Sequence, residues 1–394
     1  MNIKGFSLSA IAAGIKYQDR LDVGLIYSDV PVVTAGVFTT NQVKAAPVLL
    51  DMERLKQGRA QAVLVNSGNA NACTGPEGME TALGTSKMVA EALDIPEEMV
   101  QVSSTGVIGE PLDLQPFRDG MNELVGGLSV DRFEDVAQSI MTTDTVPKTV
   151  YRKISVGGEE VKIMAMAKGS GMIMPNMATM LSFILTDARI SFTELNNALK
   201  SGVEQTFNRI TVDGDTSTND MVLIMANGSA ENPWIDEAHQ QEYQEFQNGL
   251  EGVLKELALM IVADGEGATK CVTIRVCGAK EDREAERMAR TVANSNLVKT
   301  AFAGEDANWG RIIAAMGRSG VKFNPDRVDI AFGDVVMVQN GQGMGPEVEK
   351  AATLILQEDT FAVCIDLKDG TGCEEVHTCD FSVDYVKINA DYRS

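Results

Sequence analysis

The 394-residue chain is 44% hydrophobic and 23% charged, the balance of an ordinary globular protein with room for two or three domains. Its formal net charge of -22 argues against nucleic acid or an anionic membrane surface as partner, since both select for basic patches. No run of about 18 apolar residues occurs, so nothing reads as a membrane-spanning helix.

The opening MNIKGFSLSAIAAGIKYQDR has Lys4 before a short apolar run. Ser7, Ser9 and Gly14 dilute that run and Lys16 ends it, so it reads as mature chain rather than a secretory leader. QAVLVNSG (61–68) is a strand entering a Gly/Asn turn, and TALGTSKMVAEAL (81–93) is a helix with small and apolar residues on one face. EMVQVSSTG (98–106) returns as a strand that ends at Thr105-Gly106. VDRFEDVAQSIMTT (130–143) is a second helix. The stretch KGSGMIMPNMATMLSFILTD (168–187) starts as a glycine-rich loop and ends as an apolar run of strand length, with Ala178-Thr179 at the join. FTELNNALKSGVEQTFNRI (192–210) is a helix with Glu194 in its first turn. LEGVLKELALMIVADGEG (250–267) is a helix closing on glycine, followed by the strand KCVTIRVCG (270–278).

After about residue 280 the character shifts. A charged helix and a mostly apolar segment fill 279–304, then come VDIAFGDVVMVQ (328–339), a helix at PEVEKAATLILQ (346–357) and strands to the end; CDFSVDYVKI (379–388) alternates like a strand. The division expected is 1–280 and 281–394, in the mixed α/β class.

Several motifs fail on inspection. NGQGMGPEVEK (340–350) sits where a dinucleotide loop would, but counting from Gly341 and Gly343 the third glycine position is Pro346. TVDGDTSTND (211–220) has Asp213, Asp215 and Ser217 at calcium-loop positions, yet Thr218 replaces the loop glycine and Ile224 the final Glu; a hydrogen-bonded turn fits better. Cys364, Cys373, His377 and Cys379 match no standard zinc spacing. Six cysteines are few for this length and read as reduced thiols. Only two histidines occur: His239, in a polar stretch, and His377. GRSG (317–320) is not G-x-S-x-G, so an imidazole-driven nucleophile has few ways to be built.

For Thr179 two readings stand on the residues alone. A threonine that opens a strand is usually a β-former, and Met172, Met174, Met177 and Met180 usually mean adaptable packing. The alternative is a nucleophile that needs no histidine. If the Thr179 hydroxyl attacks the Ala178 carbonyl and the ester is hydrolysed, the freed α-amine, with an ordinary pKa of about 7.7 to 8.0, becomes the base. A small residue at 178 limits crowding, and glycines at 169 and 171 let the loop take conformations that L-residues avoid.

Five segments resemble the ornithine acetyltransferase family, the glutamate N-acetyltransferases of arginine biosynthesis: KGSGMIMPNMATMLSFILTDA (168–188), VNSGNANACTG (65–75), SSTGVIGE (103–110), TVDGDTSTND and GEDANWGRI (304–312). The resemblance covers essentially the whole chain. It implies an αββα-type layered sandwich with a smaller C-terminal α/β domain, similar to the N-terminal-nucleophile hydrolases. It implies cleavage between Ala178 and Thr179 into α and β chains that stay together as a heterotetramer of two α and two β chains. The new N-terminal Thr179 takes acetyl from N-acetylornithine and gives it to glutamate. Thr105 and Gly106 are the implied oxyanion pair, otherwise a plain strand-ending turn. The implied substrate contacts are Thr143, Lys168, Thr179, Glu266, Asn389 and Ser394. Lys168 and Glu266 suit a zwitterionic amino acid, the cation for its carboxylate and the anion for its amine. Many members end in threonine; Ser394 keeps the hydroxyl and a terminal carboxylate. No metal or organic cofactor is implied, and acetyl-CoA use as a second donor is left open. A cytoplasmic location is expected. Two rivals remain on sequence: an aminopeptidase or amidohydrolase on the same scaffold, and an uncleaved or metal-holding binding protein.

Overall fold

The computed structural model describes residues 2–174 and 180–391; Ala178, Thr179 and Ser394 lie outside the described residues. The described chain divides into two compact units. The first runs to Asn208 and resumes over Asp215–Ile261; the second takes Arg209–Gly214 and resumes at Val262. The sequence boundary near 280 falls after the strand at 271–279. The division comes earlier because that strand is central to the second unit's sheet.

In chain order the first seven strands are β1 (Phe6–Ile11), β2 (Val23–Phe38), β3 (Arg59–Asn66), β4 (Val100–Ser104), β5 (Lys148–Val156), β6 (Glu159–Lys168) and β7 (Leu181–Thr186). The short β8 (Ile210–Thr211) belongs to the second unit, and β9 (Met221–Ala226) to the first. The first unit's eight strands form one sheet in the order β4-β3-β2-β9-β7-β6-β5, with β1 paired to β2. Its helices are α1 (Ala46–Arg54), α2 (Gly75–Leu93), α3 (Gln115–Gly126), α4 (Phe133–Ser139), α5 (Phe192–Gln205) and α6 (Gln240–Ala263), the last counted to Ile261.

The apolar run after residue 180 is continuous because both faces of β7 are covered. It lies between β6 and β9, and all six of its residues are buried. β3 feeds two cores by alternation: Ala62 and Leu64 join α2 and α3 residues on one side, Val63 and Val65 join Phe183 and Leu223 on the other. α5 starts where its sequence says, with the Ser191 hydroxyl accepting from the Glu194 N–H at 3.2 Å. α4 is shorter than 130–143 suggests, stopping at Ser139.

The second unit has a seven-stranded sheet in the order β13-β12-β11-β14-β10-β15-β8. Its remaining strands are β10 (Cys271–Ala279), β11 (Asp329–Phe332), β12 (Val335–Gln339), β13 (Gln342–Gly343), β14 (Thr360–Asp366) and β15 (Gly372–Cys379). Five helices go with it: α7 (Asp282–Ala293), α8 (Asn296–Ala303), α9 (Trp309–Gly317), α10 (Pro346–Leu356) and α11 (Val383–Asp391). Val272, Ile274 and Val276 of β10 and Met288 and Val292 of α7 centre its core. The mixed α/β class expected from the sequence is the class observed.

Two expectations are corrected. The end of the chain is not a further strand: β15 stops at Cys379 and α11 follows. The alternating apolar residues of 383–388 have no core to face, with Val383 and Val386 strongly exposed, while the Ser382 hydroxyl receives the Asp384 N–H and Phe381 stacks on Tyr385 four residues on. Nor are all six cysteines free thiols. Cys277 and Cys373 stand directly opposite in the β10–β15 register, with Cα atoms 4.0 Å apart, and form a disulfide.

β4 is an edge strand, and its exposed N–H is taken from within the protein. The buried Asp51 on α1 accepts from the Val102 N–H at 3.0 Å, and its other oxygen has no partner. Burial pushes the Asp51 carboxyl well above the ordinary carboxylate range, against the Val102 hydrogen bond and the Arg54 charge. A carboxyl with a raised folded pKa stabilises when protonated and loses that contribution as the pH rises from about 4. Asp51→Asn keeps the acceptor without the charge. It should be at least as stable as the wild type at pH 7, with an advantage that shrinks as urea melts are repeated down to pH 4.

Candidate functional site

β3 and β4 run parallel, Asn66 opposite Ser104, and the two loops leaving them are laced together by asparagines. The Asn66 carbonyl accepts the Thr105 N–H at 2.9 Å, and its side chain receives the Ser104 hydroxyl at 2.7 Å and donates to the Asn69 carbonyl at 3.0 Å. Asn69 donates to the Glu110 carbonyl at 3.1 Å and accepts the Asn71 N–H at 2.7 Å. The motifs at 65–75 and 103–110 are thus one structure. Its tightest point is Gly106, at φ +134°, where a Cβ would lie 2.3 Å from the Gly68 carbonyl carbon. The Thr105 N–H is spent on Asn66, so what Thr105 offers outward is its hydroxyl.

That hydroxyl receives the Lys168 ammonium at 3.4 Å. Lys168 ends β6 and is only 8% exposed, so it is not a solvated surface charge. Thr143, in the loop between α4 and β5, lies 2.7 Å from Ser170 through their hydroxyls. These two loops are joined by a group that sequence reading passed over. Asp144 Oδ1 accepts from Lys148 Nζ and from the Gly169 N–H, both at 2.7 Å, and Oδ2 accepts the Thr142 N–H at 3.0 Å. Its side chain is wholly buried, as is that of Lys148. Burial works to raise the Asp144 carboxyl, but the Lys168 and Lys148 charges and these hydrogen bonds outweigh it and hold the group at about 2. The only hint in the sequence is the spacing of Asp144 and Lys148 in MTTDTVPK.

Gly169 takes a positive φ of +153°, as the loop reading expected; at the next such position the residue is Met172, at φ +56°, and not Gly171. A methionine there is uncommon and strained by of order 1 kcal/mol. The segment TVDGDTSTND proves to be hydrogen-bonded loop, as expected. The Thr39 hydroxyl reaches the Ser217 carbonyl at 2.9 Å, Asn41 reaches that of Thr216 at 3.0 Å, and Asn219 Nδ2 reaches that of Ser104 at 2.8 Å. Asn219 and the fully buried Asp220 were not picked out from sequence.

Glu266 and Asn389 belong to the second unit and meet there: Asn389 Nδ2 donates to Glu266 Oε2 at 2.6 Å. Glu266 is 7% exposed, again no surface charge. Its loop is pinned by Asp380, which accepts the Thr269 and Lys270 N–H groups at 2.7 and 2.9 Å, and by Ser382, which donates to the Gly267 carbonyl at 2.6 Å. Thr179 and Ser394 lie outside the described residues. His239 pairs with Asp236 at 2.8 Å and His377 with Thr273 at 3.0 Å. Among the described residues no group of three or more His, Cys, Asp or Glu is placed to hold a metal ion, and no helix is long and apolar enough to cross a membrane.

A mixed α/β scaffold that buries a lysine against a threonine hydroxyl at a strand end, beside a glycine that excludes any side chain, has the form of an enzyme site for a carbonyl or carboxylate group. The family is more specific: the ArgJ family model matches residues 7–394, and the chain belongs to that family. It is 64% identical over 394 residues to the arginine biosynthesis bifunctional protein ArgJ of Desulfotalea psychrophila, and 53% identical to that of Geobacter sulfurreducens, each match covering 100% of both chains. The crystal structure of the ArgJ protein from Bacillus halodurans shares 44% identity with a TM-score of 0.51, covering 53% of this chain and 98% of that one.

Asp144 supplies a pH signature. A carboxyl whose folded pKa is depressed contributes stability above its ordinary value and loses it as the pH falls toward the folded one, here between about 4 and 2. Asp144→Asn removes the negative charge from beside the buried Lys148 and should cost about 3 to 5 kcal/mol at pH 7. The deficit against wild type in urea melts should narrow as the pH is lowered from 5 to 3.

Proposed function

We propose that this chain is a glutamate N-acetyltransferase that cuts itself between Ala178 and Thr179 and then carries acetyl on Thr179 from N-acetylornithine to glutamate. The observation that supports the reading is the buried Lys168–Thr105 contact beside Gly106, in a chain of the ArgJ family that carries the motif at 168–188.

In the first half-reaction the Thr179 hydroxyl attacks the acetyl carbonyl of N-acetylornithine and its proton passes to the Thr179 α-amine. The Thr105 hydroxyl and the Gly106 N–H face the oxyanion. Collapse breaks the amide C–N bond; ornithine leaves with the proton, and the acetyl stays as an ester. The glutamate amine then attacks the ester through the same oxyanion site, giving N-acetylglutamate and the free hydroxyl. Lys168, with Thr143 near its loop, supplies the cation for the substrate carboxylate, while Glu266 with Asn389 supplies the anion for its amine and Ser394 adds a polar terminus. Nucleophile and base are one residue, so the chemistry calls for no metal or organic cofactor. Acetyl-CoA as a second donor fits the word bifunctional in the relatives' name. The two chains would pair into a heterotetramer in the cytoplasm.

Intact-mass measurement with N-terminal sequencing should find chains ending at Ala178 and beginning at Thr179. Thr179→Ala should give one inactive, uncut chain; a wild type fully active as a single chain would refute the mechanism. N-acetylornithine alone should release about one ornithine per site, add one acetyl mass to the second chain, and give parallel double-reciprocal lines with glutamate. An acyl group passed to water without glutamate would point instead to an amidohydrolase.

The rate should rise with pH as the α-amine loses its proton. Replacing both His239 and His377 by Gln should leave that limb and most of the activity. A loss of about 10² to 10⁴ in cleaved, folded enzyme would move the base to imidazole.

A further inference from the structure

The loop 216–220 reaches the end of β4 and the residues on both sides of 175–179. Thr216 donates its hydroxyl to the Met174 carbonyl at 3.0 Å and its backbone bridges Ile173. Asn219 donates to the carbonyls of Ser104 and Ala70, gripping the residue before Thr105. The N–H of Met221 returns to the Met180 carbonyl at 2.9 Å, and the buried Asp220 carboxyl lies beside the Met180 N–H. The loop is fixed from behind: the Thr39 and Ala45 N–H groups reach the Asp220 and Thr218 carbonyls, both at 3.0 Å. Met174 and Met180 are the described residues on either side of 175–179, so one short loop holds both flanks of that segment and the strand that ends at Ser104.

We propose that 216–220 is the positioning clamp of this enzyme, with Thr216 holding the flank before the junction, Asp220 the flank after it, and Asn219 the carbonyl next to the oxyanion pair. The proposal rests on reading Ala178–Thr179 as the junction and Thr105–Gly106 as the oxyanion pair. None of the three side chains is asked to touch substrate; they act by fixing the residues that do.

The arrangement has a cost that packing alone does not explain. Asp220 is 2% exposed and one of its oxygens has no partner. Burial pushes its carboxyl well up, against the Ser217 hydroxyl, the Lys168 charge, the Met180 N–H and the Thr39 hydroxyl. An apolar residue would fill the same place at less cost. A carboxyl suits the position as an acceptor set beside the N–H of the residue after the nucleophile. Geometry is the quantity at stake: a catalytic constellation must be held within about 0.5 Å, and a displacement of about 1 Å can cost about 10²-fold in rate.

The test follows cleavage by denaturing gel during expression, and kcat and KM for acetyl transfer on the purified cleaved fraction, with thermal melts as a control for folding. Thr216→Val should slow cleavage about tenfold. Asn219→Asp replaces the donating amide by an acceptor facing two carbonyls, and Asp220→Ala removes the grip on Met180. Each should slow cleavage and lower kcat by about 10²-fold with KM changed less than about threefold. Asp220→Asn retains an acceptor for the Met180 N–H and should restore kcat to within about tenfold of wild type. Folded Asn219→Asp and Asp220→Ala enzymes that cut and turn over at wild-type rates would overturn the clamp. So would losses that appear only as a lower melting temperature. Gly106→Ala is the control on the premise: if it folds and turns over normally, the oxyanion reading falls and takes the clamp with it. If Gly106→Ala is dead while the Asn219 and Asp220 variants are normal, the clamp alone is wrong.

Discussion

A carboxylate ionised without water around it organises the site. Asp144 stays charged in a buried place because two lysines and two backbone N–H groups surround it, and their combined pull exceeds the cost of desolvation. Those partners come from two pieces of chain, the loop into β5 and the end of β6. Thr142 ends the approach to β5, Lys148 begins β5, and Gly169 follows β6. The β5–β6 ladder brings them within reach, with Lys148 opposite Ala167. Lys168 inherits its position from this cluster: its backbone is fixed by Gly169 on one side and the β6–β7 ladder on the other. Its ammonium can be buried beside Thr105 because an anion lies close enough to lower the cost.

The second unit repeats the device. Asp380, fully buried, takes two N–H groups and the Thr269 hydroxyl, and so closes the loop that carries Glu266. Its neighbour Lys299 is buried too, held between the Thr378 hydroxyl and the Cys379 carbonyl with Phe381 under the charge. In both units a candidate site side chain sits on or beside a loop whose backbone is hydrogen-bonded to a buried carboxylate. Loops fixed this way can present a group as firmly as a strand can.

Much of this was legible in the residues, and the failures are physical. Strands buried on both faces, such as β7, announce themselves as unbroken apolar runs, and the Ser191 cap marks the start of α5. The β5–β6 hairpin had its signal in Gly157-Gly158, both at positive φ between alternating runs, but was passed over. The alternation of 383–388 misled because period two has meaning only where one face meets a core, and α11 meets none. Thr105, Gly106, Thr143, Lys168, Glu266 and Asn389 were reachable through family motifs. Asp144, Asn219 and Asp220 were not picked out, although the last two close the motif TVDGDTSTND, because the partners that reveal Asp144 and Asn219, Gly169 and Ser104, lie far away in sequence. The cysteine pair is the same kind of fact: Cys277 and Cys373 are 96 residues apart and become neighbours only through strand register.

The strand order has a consequence for what a break between β6 and β7 can do. Everything up to β6 lies on one side of such a break in the chain, yet in the sheet β9 and β7 are slotted between β2 and β6. The downstream fragment is thus intercalated in the upstream one, paired to it through the β2–β9 ladder on one edge and the β6–β7 ladder on the other. Pulling the pieces apart means tearing two ladders and exposing both faces of a buried centre at once. Loss of one covalent bond there releases a chain end without releasing a chain. It also means that neither piece holds the whole sheet by itself.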